Sequence, residues 1–238
     1  MIVLGVESSC DECSVAVVED GRRILGQVIA TQLTEHAPYQ GVVPEIASRT
    51  HTRWIVGVYQ EALVRAGVTP SDLDGVAVTT RPGLVGSLVV GLSFAKGLAY
   101  GLHLPIVGVD HMLAHLYAPQ LEAPVEYPFL GLLVSGGHTI IARAIDPFTM
   151  EVLGTTIDDA CGEAFDKVAK HYDLGYPGGV AIDRLAQGGN DRAFRFPDSN
   201  LHKGEHRYDV SYSGLKTAVI NQLDQFWDGE SEKSTENI

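Results

Sequence analysis

With 238 residues, 45% hydrophobic and 20% charged, the chain has the composition of an ordinary globular protein, long enough to bury one sizeable core or to split into two domains. A formal net charge of -13 opposes any protein that grips nucleic acid unaided, because phosphate binding draws on Lys and Arg displacing counterions. No basic n-region with an apolar h-region opens the chain, and no apolar stretch is expected to span a membrane without interruption, so the expected location is cytoplasmic.

In chain order, residues 2–6 form an apolar strand, 8–13 a polar turn, 14–18 a second strand, 19–22 another turn, and 24–30 a third strand. This is a β-meander. Residues 50–67 carry Trp54, Val58, Ala62, Leu63 and Ala66 at helical spacing, with Gly67 as the stop. A strand over 73–79, a mostly apolar helix over 88–101 and a strand over 106–109 add β-α-β alternation, hence a mixed sheet. Residues 118–128, low in charge and with three prolines, mark the expected domain boundary. A second meander follows, with strands over 129–134, 139–145 and 150–154. Leu130-Gly131 and Leu153-Gly154 repeat Leu4-Gly5 and Leu25-Gly26 at nearly the same separation, which indicates two related domains. Helices are expected over 159–172 and 180–187, and the polar tail from 228 should fray.

The sharpest chemical feature is His111 and His115 in Gly108-Val-Asp-His-Met-Leu-Ala-His115, where a helix would bring both imidazoles to one face as half of a metal site. Packed or surface histidines at this spacing are also common. The Cys10-Asp-Glu-Cys13 pair has no second Cys-x-x-Cys to complete a zinc site, and the apolar run after it argues against a redox helix, so both thiols read as small turn residues. Ser135-Gly-Gly-His138 and Thr80-Arg-Pro-Gly-Leu-Val-Gly-Ser87 are glycine-bearing turns that can present backbone N–H groups to phosphate, although a tight hairpin explains the first equally well. Asp166 and Asp183, at the edges of apolar helix faces, are either ribose acceptors or solvated charges. Glu12 and Glu45 are possible polar groups near the first turn.

These stretches, with Glu7-Ser-Ser-Cys-Asp-Glu12, Gly41-Val-Val-Pro-Glu-Ile-Ala-Ser-Arg49, Asp158-Asp to Glu163-Ala-Phe-Asp-Lys167, Tyr176-Pro-Gly-Gly179 and Ser213-Gly-Leu-Lys-Thr217, closely resemble one family, the tRNA N6-threonylcarbamoyladenosine transferases. The resemblance runs in order from residue 1 to about residue 219. It implies an α/β chain of the actin-like ATPase (ASKHA) fold, with two RNase H-like domains around a nucleotide cleft. These would cover residues 1–120 and 121–238, the second lacking its C-terminal part. It further implies one divalent metal, iron or zinc, on His111 and His115. A nucleotide, threonylcarbamoyl-AMP or ATP, would contact Leu133, Val134, Ser135, Gly136, Gly137, Asp166, Gly179 and Asp183. The activity it implies is transfer of threonylcarbamoyl to N6 of the adenosine beside the anticodon in tRNAs reading codons that begin with A. The implied partners are tRNA, a paralogous actin-like subunit (TsaB-like) and a small ATPase (TsaE-like), with no membrane.

The chain departs from the family pattern at Arg81, where Gly is usual, at Ser8 and Cys13, where Thr is usual, and at Val180, where Pro is usual. It also ends before the family's C-terminal Gly-Gly-x-x-x-Asn and Thr-Asp-Asn segments, the latter carrying the third metal ligand. A truncated, inactive chain is therefore expected. Metalloprotease chemistry is disfavoured because Met112 follows His111, so no His-Glu-x-x-His is formed. An actin-like sugar or acetate kinase has no reason to carry the His pair. Neither does a non-catalytic actin-like scaffold, the alternative of a different class.

Overall fold

A computed structural model of the chain describes residues 1–39, 41–201 and 204–225, arranged as two compact units, Met1–Val125 and Glu126–Ile238. The expected tail from residue 228 lies outside the described residues.

In the first unit, β1 (Ile2–Glu7), β2 (Glu12–Glu19) and β3 (Arg23–Thr31) form the antiparallel meander, and β4 (Gly75–Arg81) and β5 (Ile106–Asp110) extend it in parallel in the order β3-β2-β1-β4-β5. Alternation sends Leu4, Val6, Val15, Val17, Val76 and Val78 to one buried face. There they meet Ile55, Val58 and Ala62 of α2 (Pro44–Ala66) and Ala95 and Ala99 of α3 (Val85–Leu102). A short helix, α1 (Leu33–His36), precedes α2. Cys13 is not a turn residue: β2 begins one position before it, the residue pairs with Ala30, and its side chain is fully buried.

Helix α2 starts six residues before the expected position. Pro44 at its first turn and Glu45 beside it are the start signals, and they precede the point where apolar spacing becomes regular. Its end is as expected: Gly67 takes φ 67° and donates to Leu63 and Val64 carbonyls. Helix α3, 18 residues with a mean hydropathy of 1.4, is long and apolar enough to cross a membrane by composition alone, although Lys96 interrupts its apolar run. Only one face of it packs on the core. Ser87, Gly91, Ala95 and Ala99, four residues apart, form its buried stripe, and Gly91 is needed because a Cβ there would strike the Ser8 hydroxyl.

The second unit opens with the meander β6 (Phe129–Val134), β7 (Thr139–Asp146) and β8 (Thr149–Thr155), antiparallel throughout. Among the described residues three α-helices follow: α5 (Cys161–His171), α6 (Gly178–Ala186) and α7 (Ser213–Leu223). Val168, Ala169, Tyr172, Ile182 and Leu223 make a small core among them. The sequence pattern did not reveal α7, whose apolar residues lie too evenly around the helix to show an amphipathic stripe. The paired glycines of the repeat serve close approach in both units: a Cβ on Gly26 would meet the Ala66 amide at 2.5 Å, and one on Gly154 would strike the Tyr208 carbonyl.

Candidate functional site

In the first unit, β5 runs directly into α4 (His111–Tyr117). Asp110, extended at φ -83°, stands at the junction, and its Oδ1 accepts from the amides of Met112 at 2.9 Å and Leu113 at 3.3 Å. This N-cap starts the helix at His111, so His111 and His115 stand one turn apart on a common face. Their Nε2 atoms are 3.1 Å apart and the rings are nearly perpendicular. Two nitrogens bound at about 2.0–2.1 Å to one tetrahedral ion stand about 3.3 Å apart, so the pair fits two positions of such a shell. Among the described residues no cluster of three or more His, Cys, Asp or Glu side chains forms around one point.

Behind His111 lies Glu7, the last residue of β1. Its Oε2 accepts from Thr79 Oγ1 at 2.6 Å and faces His111 Nδ1 at 3.1 Å, while Oε1 accepts from the Ser9 amide. Burial works to raise the Glu7 carboxyl, but the bonds from His111, Ser9 and Thr79 outweigh it and hold it at about 2. The Glu7 hydrogen bond in turn raises His111 against burial, aided by the charges of Glu7 and Asp110. Sequence reasoning did not single out Glu7. Its signals were its position, a lone acid at the end of an apolar strand, and its place at the head of a family stretch.

The loop between β4 and α3 packs on the turn after β1. Gly83, at φ 154°, lies where a Cβ would meet the Ser9 carbonyl at 2.6 Å, and the Leu84 amide donates to that carbonyl at 2.7 Å. Ser8, fully buried, donates to the Ser87 carbonyl at 2.9 Å. Arg81 is 80% exposed and reaches Asp110 Oδ2 at 3.2 Å, so its cation leans on the cap of the helix that carries the histidines. Glu45 pairs with Arg49 on its own helix and Glu12 is exposed at the start of β2; neither joins the histidines. His36 and His51, unremarkable in sequence, are fully buried; His51 Nε2 donates to the Cys10 carbonyl at 2.9 Å, and burial lowers its pKa.

In the second unit, the turn from β6 to β7 is closed by Ser135, whose amide donates to the His138 carbonyl at 2.8 Å while its hydroxyl accepts from the His138 amide at 3.0 Å. Gly136 and Gly137 at the tip have no positive φ, and a Cβ on either would meet nothing within 4 Å. Neither amide donates a backbone hydrogen bond among the described residues. The turn thus leaves two N–H donors and open space above them. Helix α5 packs beneath it. A Cβ on Gly162 would lie 2.8 Å from Gly136 Cα, and the Gly162 amide donates to the Ser135 carbonyl at 3.2 Å.

Leu133 and Val134 lead into this turn on β6, paired with Ile140 and Thr139. Asp166 sits on α5 and its Oδ1 accepts from the Gly178 amide at 2.7 Å, which ties α5 to the first turn of α6. Gly179 follows in that turn, and Asp183 is exposed farther along α6. The structure therefore joins Asp166 to Gly178 and stacks the Ser135–Gly137 turn on the start of α5.

Two further carboxylates entered the sequence analysis only within a family stretch, with no role assigned. Asp158 accepts from the Ser211 and Ser213 hydroxyls and from the Tyr212 and Ser213 amides at 2.9 and 3.1 Å. Against a burial penalty these bonds hold it at about 2. Asp159 takes Lys167 and Lys216, each at 2.6 Å. An apolar cavity of about 240 Å³, lined in part by Phe165, Ile182, Phe196 and Leu223, lies among the three helices.

The family model described as TsaD, tRNA N6-adenosine threonylcarbamoyltransferase, matches residues 23–237. A protein of that name from Treponema denticola is 61% identical over all 238 residues, which span 70% of its length, and one from Borrelia hermsii is 56% identical over the same span, again 70% of its length. Among solved structures, component A of the (R)-2-hydroxyglutaryl-CoA dehydratase of Acidaminococcus fermentans aligns with a TM-score of 0.52 at 13% identity, covering 96% of this chain and 70% of that one. That likeness speaks for the fold alone, the actin-like ATPase fold.

Proposed function

The chain belongs to the tRNA N6-adenosine threonylcarbamoyltransferase family, and from that premise we propose that it moves threonylcarbamoyl from threonylcarbamoyl-AMP to N6 of the adenosine beside the anticodon, in tRNAs reading codons that begin with A. The observation that carries this reading to a site is the convergence of the His111 and His115 Nε2 atoms at 3.1 Å. In the reaction the N6 amine attacks the carbamoyl carbon. A C–N bond forms, the bond from that carbon to the adenylate oxygen breaks, AMP leaves with the electron pair, and the amine gives up a proton.

Each group of residues has a separate task. The free amides of Gly136 and Gly137 meet phosphate oxygens, with Leu133, Val134 and Ser135 shaping the approach. Asp166, with one oxygen committed to Gly178, offers the other to a ribose hydroxyl, and Gly179 and Asp183 complete the nucleotide contacts. His111 and His115 would hold a divalent iron or zinc ion, which when bound would supply Lewis acidity toward a carbonyl oxygen. With a net charge of -13, the chain depends on a paralogous actin-like subunit and a small ATPase for much of its grip on tRNA. The setting proposed is the cytoplasm, with no membrane contact.

The test is mass spectrometry of nucleosides from tRNA incubated with threonylcarbamoyl-AMP, the partner proteins and this protein extended to the length of its relatives. Threonylcarbamoyladenosine is expected. Its absence, with the extended protein folded and metal-loaded, would overturn the assignment.

A further inference from the structure

We propose that Glu7 is a positioning residue that holds the His111 ring with its Nδ1 as donor, so that the Nε2 lone pair is presented beside His115. The inference rests on the metal reading above and adds to it the group that fixes the ligand's tautomer. Three observations carry it. Glu7 Oε2 lies 3.1 Å from His111 Nδ1, and a carboxylate only accepts, so the ring must donate there. The carboxylate is itself held, by the Thr79 hydroxyl at 2.6 Å and the Ser9 amide, each from a different segment of the first unit. Asp110, another acid nearby, is bonded instead to the Met112 and Leu113 amides, which it caps, and to Arg81. An imidazole ligand commonly has its second nitrogen bound to such a carboxylate, which sets ring orientation and raises ligand basicity.

The experiment uses the protein extended to the length of its relatives, in wild-type form and as Glu7→Ala, Glu7→Gln and His111→Ala. Long-range proton–nitrogen NMR on the metal-free protein reads the His111 tautomer, and calorimetry with zinc(II) reads affinity. In the wild type the Nδ1–H tautomer is expected. Glu7→Ala should shift His111 toward the Nε2–H form and weaken zinc binding by about 10–100-fold. Glu7→Gln keeps an acceptor, so it should retain the tautomer and lose less affinity, a rescue that a merely structural role for Glu7 would not give. Wild-type tautomer and zinc affinity in Glu7→Ala would overturn the proposal. Should that variant not fold, Glu7→Gln decides, with a loss of at least about 3-fold expected and unchanged affinity counting against it. If His111→Ala binds zinc as well as wild type, the metal reading fails on its own account, and the tautomer of Glu7→Ala alone then judges the role of Glu7.

Discussion

The two units repeat one meander but hold their candidate sites by different means. In the first, the histidines stand at the end of a five-stranded sheet whose buried face is filled by Leu4, Val6, Val76 and Val78, and Glu7 continues the β1 strand that carries two of those residues. In the second, the three-stranded sheet leaves Leu130 and Leu132 70% and 67% exposed, and the loops around the Ser135–Gly137 turn are tied by Asp158, Asp159, Lys167 and Lys216. A core-backed site transmits packing faults. A site tied by partly exposed ion pairs and hydrogen bonds responds instead to pH and salt.

The largest expected effect tests the first unit's chemistry. In the protein extended to its relatives' length, His111→Ala or His115→Ala should remove most of the bound iron or zinc while the fold survives, as read by elemental analysis and circular dichroism. Unchanged metal in both variants would break the assignment. Next comes packing: Leu4→Ala, at a fully buried position, should destabilise by about 2–5 kcal/mol, seen as lost amide protection in β1, β2 and β4 by hydrogen exchange.

The second unit should yield smaller effects. Asp166→Ala removes the acceptor of the Gly178 amide, so a loss of about 1 kcal/mol is expected together with weaker adenylate binding by calorimetry, at unchanged metal content. Wild-type adenylate affinity would refute its place at the nucleotide. For Asp158 the carboxyl is depressed from 3.8 to about 2 on folding, so its contribution is fully present above pH 4 and is lost as pH falls through 2. Asp158→Asn should flatten that part of the denaturation profile, by about 1 kcal/mol or less because the group is exposed. Least of all, Gly137→Ala should change stability by under about 0.5 kcal/mol, since its φ suits any residue and its surroundings are open, yet it should weaken adenylate binding. A stability loss without a binding loss would make the turn structural.

Much of this protein was legible in one dimension. Both meanders, the helix stop at Gly67 and the His111–His115 spacing are read from residues within a few positions of one another, because strand alternation, turn preference and helical period are local properties of the backbone. The family resemblance added the identities of the site residues, which local patterning alone left open between ligand and bystander. What the tertiary structure decided is of another kind. Glu7 meets His111 from 104 positions away, and Asp158 meets Tyr212 and Ser213 from 54 and 55 away. Cys13 became a core residue because β2 begins one position before it and pairs it with Ala30 of β3, and α7 showed no stripe by which to be seen. Such partners have no mutual spacing that a period can register; only the path of the chain brings them to hydrogen-bonding distance, where a hydrogen bond can set a tautomer or hold a carboxylate charged.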